Sequence, residues 1–178
     1  TFSKKYLYFC SMILSTSDFL SGVTKISQDQ NAVANFAAYL TANRENSYIK
    51  KMFGVVLGQE LIDDLAGTPS VPVTAKWQLI FLYFDFDISG YNESCIGLKE
   101  ILKYLFYNDF VSEQAIINQS MGNGSVRQEA TNREGLVKKS TIINNRAAEQ
   151  IDLLQYYISQ HPTNYSNPSG QQFELESA

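Results

Sequence analysis

Residues 98 to 158 constrain this chain more than any other part, because they hold two long stretches whose apolar residues recur at the helical period. After Gly97 the run LKEILKYLFYNDFVSEQAII places Leu98, Ile101, Leu102, Leu105, Phe106 and Phe110 at three- and four-residue steps, the pattern of a helix with a wide buried face. From Gly135 the text GLVKKSTIINNRAAEQIDLLQYYISQ repeats that period through Ile143, Ala147, Ile151, Leu154 and Ile158, leaving Lys138, Lys139, Arg146, Glu149 and Asp152 for solvent or a partner. The two stretches are expected to pack as an antiparallel pair over residues 98–117 and 136–160. Between them, NQSMGNGSVRQEATN contains Asn123-Gly124, which can take both positive φ angles of a type I′ turn, so Gln119–Met121 and Val126–Gln128 are expected to pair as a short hairpin. Its arms alternate poorly, and a hairpin with one Met and one Val to bury is marginal alone. That makes Met121, Asn123, Val126, Arg127 and Glu129 the candidate contacts to a neighbouring subunit.

The rest of the chain reads as shorter helices around this unit. Ser15, Thr16 or Ser17 caps a short helix near Asp18 with Phe19, Leu20 and Val23 inward. From Asp29 a longer helix carries Ala32, Val33, Phe36, Ala37 and Leu40 on one stripe, continues through Tyr48, Ile49, Met52 and Phe53, and ends or bends at Gly54. Residues 56–66 form another helix with Leu57, Leu61, Ile62 and Leu65 inward, stopped by Gly67, Pro69 and Pro72. Thr74 caps AKWQLIFLYFDFD, a run that suits a buried helix or a strand. Lys76 and Gln78 near its start and the helical surroundings favour helix. SGYNESCIG reads as a loop. The expected fold is all-α: a helical bundle over residues 13–160 with a small β-hairpin or extended insertion between the last two long helices, an N-terminal arm over residues 1–12, and an extended tail over residues 161–178.

Charge and cysteine content narrow the function. At 178 residues and 44% hydrophobic, the chain can bury one sizeable core, and 18% charged residues is too few for a disordered protein. A net charge of −4 and pI near 5.0 argue against a general nucleic-acid binder, which would show a basic stripe. The concentrated basic sites, Lys4-Lys5, Lys50-Lys51 and Lys138-Lys139, read as solvated helix ends or faces. Cys10 and Cys95 are isolated, giving neither a disulfide framework nor a zinc spacing, and fit a reducing compartment. Lys4-Lys5 followed by YLYFCSMIL imitates a secretory signal, but the apolar run is short, carries two tyrosines, and lacks a small-x-small cleavage pattern. No stretch approaches the roughly 18 uninterrupted apolar residues of a membrane span.

No catalytic constellation stands out. Asp85 and Asp87 flank Phe86 and could hold a divalent cation or divide into acid and base, yet they read more simply as the polar end of a buried run. Asp63 and Asp64 are adjacent on a helix and do not face one another. His161, the single histidine, stands beside Pro162 at a helix end, where it complements the dipole and has no triad partner. The glycines at 122 and 124 lack the Lys-Ser/Thr of a P-loop. Asn-x-Ser triplets begin at Asn92, Asn118, Asn123 and Asn164, as they do by chance in an Asn- and Ser-rich chain. Trp77 reads as core. No catalytic, metal or cofactor site is expected, and the chain is not expected to be an enzyme. In the tail, Tyr165, Phe173 and Leu175 are spaced too widely to build a core, and with Tyr6 and Phe9 near the other end they are the candidate partner-docking anchors.

In order, YIKKMFGVVLGQELIDDLAG, GLKEILKYLFYNDFV, a polar segment with GSVRQEATN, and a last helix ending IDLLQYYI resemble the head-tail connector family of phages that infect Bacteroidetes, over about residues 13–160. Glu45, Tyr48, Ile49, Leu57, Gly58, Leu61, Asp64 and Leu65 stand at the positions of its first block, and Gly97, Leu98, Lys99, Leu102, Tyr104 and Tyr107 at those of its second. These are packing motifs. The stretch before Met12 and the tail after His161 depart from the family pattern. The resemblance implies a structural virion protein assembled in the host cytoplasm and placed at the neck. There it would form a homo-oligomeric ring, a dodecamer matching the portal, below the portal protein. Such a ring extends the DNA channel without sequence-specific binding, docks other neck or tail proteins and touches no membrane. A helical protein–protein adaptor outside any virion is the alternative.

Overall fold

The computed structural model describes residues 12–26, 30–120 and 126–165. Its organising unit is the expected helical pair, α4 (Leu98–Ser120) and α5 (Val126–Gln160). On α4, Leu98, Ile101, Leu102 and Phe106 are fully buried, while Leu105 and Phe110 are half-buried at the margin of the same face. Ile143, Ala147, Ile151, Leu154 and Ile158 of α5 are all buried. Outside that seam the two helices are tied by cations over rings: the Lys139 ammonium lies 4.8 Å from the Tyr107 ring centre and the Arg146 guanidinium 5.9 Å from that of Tyr104. Ser140 donates a hydrogen bond to Asn108. Residue numbers rise on one helix as they fall on the other, so the pair is antiparallel.

Around it lie α1 (Gln30–Tyr39), α2 (Ala42–Asp64) and α3 (Ala75–Phe81). Phe36 of α1 is fully buried, with its ring centre 4.5 Å from that of Phe19 and 4.7 Å from that of Phe110. The expected continuous helix from residue 29 to 53 is broken. Thr41 is extended at φ −136°, ψ 142°, and its carbonyl accepts the Arg44 and Glu45 amides that open α2. Gly54 then bends α2 with φ 77°, ψ 169°, a conformation closed to side chains with a Cβ. The two halves of α2 approach so closely beyond the bend that a Cβ on Gly58 would stand 2.9 Å from the Lys50 Cα.

The fold is not all-α. Among the described residues there are two small antiparallel sheets, β1 (Leu65–Ala66) with β2 (Val71–Pro72), and β3 (Phe84–Ile88) with β4 (Tyr91–Cys95). The run expected as one helix after Thr74 stops at Phe81 and re-forms as β3, and the expected loop after it is β4. The reason is alternation. FDFDI places Phe84, Phe86 and Ile88 on one face and the exposed Asp85 and Asp87 on the other, a period of two. Ser89 and Gly90 both have positive φ, 53° and 89°, and close the hairpin as a two-residue turn that matches strand twist. The chain then returns under α3 at Gly97, φ 83°, where a Cβ would fall 2.3 Å from the Leu82 backbone.

The hairpin expected between the long helices is also corrected. α4 continues through Gln119 and Ser120, and α5 is already helical at Val126, so the described residues of the supposed arms belong to helices. Once a helix is nucleated, each further residue costs little, and the poorly alternating arms offered no competing strand face. Met121 and Asn123 lie outside the described residues.

The segment before α1 is anchored by residues that periodicity did not single out. Thr16–Phe19 is a 3-10 turn, held by the reciprocal bonding of Ser15 with Asp18. Its tighter winding buries Phe19 but leaves Leu20 and Val23, expected inward, exposed at 40% and 48%. At the other end, Tyr165 is not a free anchor. It is 1% exposed, its ring packs on Trp77 and Tyr157, and its hydroxyl donates to the Lys76 carbonyl. Burial of one aromatic ring is worth about 1.5–3 kcal/mol, enough to hold a short segment against the core.

Candidate functional site

The most distinctive surface lies between β4 and α5. Alternation on β4 puts Glu93 on the same face as its cross-strand partner Phe86, toward α5. On α5, Glu149, Asp152, Leu153 and Tyr156 share one side at three- and four-residue spacing. The hairpin is pinned to the helix at one end, where the Gln150 side-chain carbonyl accepts the Ile96 amide at 2.8 Å, and by Phe84 and Phe86 packing on the Tyr157 ring. Between β4 and α5 lies an open cleft of about 770 Å³, lined among others by Ile88, Leu153 and Tyr156 and by the acidic Glu93, Glu149 and Asp152. Among the described residues none of these three carboxylates takes part in an ion pair, and no Lys or Arg lines the cleft. It offers apolar area and negative charge, which suits recognition of a cationic, aromatic segment.

The carboxylates singled out from the sequence have structural partners instead. Asp85 lies on the exposed face of β3 and accepts hydrogen bonds from the Ser94 and Tyr83 hydroxyls, which hold its carboxyl below the usual aspartate value. Asp87 accepts the Gly90 amide at 2.8 Å and so shapes the turn. His161 donates Nδ1–H to the Tyr157 carbonyl at 2.8 Å and stacks on the Tyr157 ring. That ring contacts Phe84 and Phe86, on the strand face opposite to Asp85 and Asp87, so the three do not converge. Asp64 joins the end of α2 to the start of α3: it accepts from the Val73 and Thr74 amides, each at 2.9 Å, and from the Thr74 hydroxyl. Partial burial pushes its pKa up, but these bonds outweigh it and leave the carboxyl below its ordinary value.

Sequence reasoning missed the role of Glu45. This carboxylate is 1% exposed, and its two oxygens accept the amides of Ile13 and Leu14 at 2.8 Å each, clamping the N-terminal segment to α2. Burial raises its pKa; the two amide bonds oppose the shift, and nearby Asp18 adds to it. Lys99 forms an ion pair with Asp18 at 2.9 Å, and Tyr48 donates to Asp109. The quoted blocks are therefore joints between elements. A glutamate in a helical stripe carries no signal for such a joint, since its partners are backbone amides 31 and 32 residues away.

Of the candidate interface residues, Val126, Arg127 and Glu129 stand on the first turns of α5. Tyr6, Phe9, Phe173 and Leu175 lie outside the described residues, as do Lys4, Lys5 and Cys10. Cys95 is a buried free thiol beside the Gln150 carbonyl. Lys50 and Lys51 line a smaller surface depression, of about 490 Å³, on α2. Among the described residues no group of three or more His, Cys, Asp or Glu side chains could hold a metal ion, and no helix is long and apolar enough to cross a membrane. Compared with known proteins, the chain matches no family model, no curated protein and no solved structure.

Proposed function

We propose that this chain is the repeating subunit of a homo-oligomeric ring at the head–tail junction of a phage virion, below the portal, where it extends the DNA channel and docks the next neck or tail protein. The observation that carries this reading is the length of the α4–α5 hairpin, 23 and 35 residues. Among the residues whose burial is described, the last core aromatic on α4 is Phe110 and the first buried residue on α5 is Ile143. α4 nevertheless runs on to Ser120 and α5 starts at Val126. At 1.5 Å per residue α4 continues for about 15 Å past Phe110, with Ile116, Ile117, Val126 and Ala130 in the sequence of this extension. A helical projection of that kind suits packing against a neighbouring copy, and it replaces the β-clasp as the contact carrying Val126, Arg127 and Glu129.

Two further points support the reading. The order of sequence blocks resembles the connector family, and Glu45, Tyr48, Gly58, Gly97 and Lys99 within them make the joints on which the fold depends. A net charge of −4 fits a channel wall past which phosphates slide without being gripped.

Negative-stain microscopy and mass photometry of the purified full chain test the proposal. Closed rings are expected, and replacement of residues 114–134 by a short Gly-Ser link is expected to give a folded subunit that no longer closes them. A wild-type protein that remains monomeric or dimeric at tens of micromolar, alone and with a portal, would return the chain to the adaptor reading.

A further inference from the structure

We propose that the acidic cleft between β4 and α5 receives residues 4–9 of a neighbouring copy, so that each subunit holds the arm of the next. This rests on the ring reading above and names the contact that joins the subunits.

The cleft specifies its occupant by charge and by shape. Glu93, Glu149 and Asp152 bring three carboxylates to one opening, without an ion pair among the described residues, around walls of Ile88, Leu153 and Tyr156. Bringing like charges together costs energy unless a cation offsets it, and the apolar walls favour an occupant that also carries rings or aliphatic groups. Lys4-Lys5-Tyr6-Leu7-Tyr8-Phe9 combines both, two cations followed by four consecutive apolar or aromatic residues. The other end of the chain is a poor match: its apolar Phe173 and Leu175 are interleaved with Glu174 and Glu176, which would add negative charge to a negative cleft.

The arm departs from elements other than those that build the cleft. Met12 is held where its carbonyl accepts the Ser70 amide at 2.8 Å, on the turn of the β1–β2 hairpin. The cleft is built from different elements, β4 and α5, with Ile88 from β3. When the exchange is not reciprocal, a surface that sends out a segment and a different surface that accepts one make a head-to-tail contact, and head-to-tail contacts close into rings when the rotation permits. The stretch between Phe9 and Met12 can span at most about 10 Å.

Reciprocal charge reversal in the full chain tests this. Lys4→Glu/Lys5→Glu and Glu149→Lys/Asp152→Lys are each expected to raise the protein concentration needed for assembly about tenfold or more, and the combination of all four is expected to restore most of the loss. Melting curves show whether each variant is folded. A fluorescein-labelled peptide of residues 1–12 carrying Cys10→Ser, titrated into the Lys4→Glu/Lys5→Glu protein, reads the recognition without assembly, and its binding should weaken about tenfold when Glu149→Lys/Asp152→Lys is added. Rings that persist unchanged in both reversals overturn the arm and leave the ring reading standing. A monomeric wild type overturns the ring reading, and the peptide then decides recognition by itself: binding that depends on Glu149 and Asp152 supports it, and no binding overturns it. Monomers whose melting temperature falls with either reversal and recovers in the combination place the arm on its own copy and overturn the exchange.

Discussion

The helical hairpin α4–α5 and the strand hairpin β3–β4 are both antiparallel and both pack on the same core, yet different forces hold them. The helical pair buries a continuous stripe from each partner, Leu98 to Phe106 on one side and Ile143 to Ile158 on the other. β3–β4 buries one face only, through Phe84, Phe86 and Cys95, and its outer face is a polar network in which Asp85 accepts from Tyr83 and Ser94, both at 2.7 Å. A two-stranded ribbon is marginal by itself, so its position depends on the Tyr157 ring, which touches Phe84, Phe86 and Tyr165. The lesson is that the helical pair sets the stability of the fold, while the strand hairpin can carry an exposed, charged working surface with less effect on it.

The largest test of this contrast is Phe106→Ala. Removing a fully buried ring from the helical seam should cost about 3–5 kcal/mol in urea unfolding, and a loss below about 1 kcal/mol would break the claim that this seam is the main core. Truncation after His161 comes next. It removes Tyr165 from Trp77 and Tyr157 and leaves the Lys76 carbonyl without its hydroxyl donor, so a loss of about 2–4 kcal/mol is expected. An unchanged melting temperature would return Tyr165 to the role of a loose docking anchor.

Phe86→Ala, which empties half-buried space under the strand hairpin, should cost about 1 kcal/mol. If its cost equals that of Phe106→Ala, the two hairpins share one core and the distinction fails. The smallest effect expected is at Asp85, where Asp85→Asn should leave the urea midpoint at neutral pH nearly unchanged. Its pH dependence has a definite sign. The folded-state pKa lies below the ordinary 3.8, so the contribution of Asp85 is present above that value and is lost as pH falls through the folded pKa. Amide exchange of Tyr91–Cys95 should accelerate relative to α4 on acidification in the wild type, and this difference should shrink in Asp85→Asn. Equal acceleration in both hairpins would show that the polar face does not hold the strands.

Legibility followed the range of the interactions. The buried faces of α4 and α5 were readable because a helix repeats its facing every three to four residues along the chain itself. β3 was less visible, since its alternating FDFDI follows directly on the apolar WQLIFLY and the two merge into one hydrophobic run. Only the Ser89-Gly90 pair marks the turn. Nothing local announces the cleft, because Glu93 meets Glu149 and Asp152 only when β4 is laid along α5. Glu45, for the same reason, looked like an ordinary charged residue in a helix.

By itself, the sequence determined that α4 and α5 exist and which of their faces are apolar, the bend at Gly54 and the core placement of Trp77, because period and glycine conformation act within a few residues. Tertiary structure alone decided that Tyr165 is buried, that α4 and α5 absorb the arms of the expected hairpin, that two small sheets join the helices, and that three carboxylates share one cleft. Each of these depends on the balance between distant partners, a ring against Trp77, an amide against Glu45 or a strand against α5, and such a balance is settled only when the elements pack.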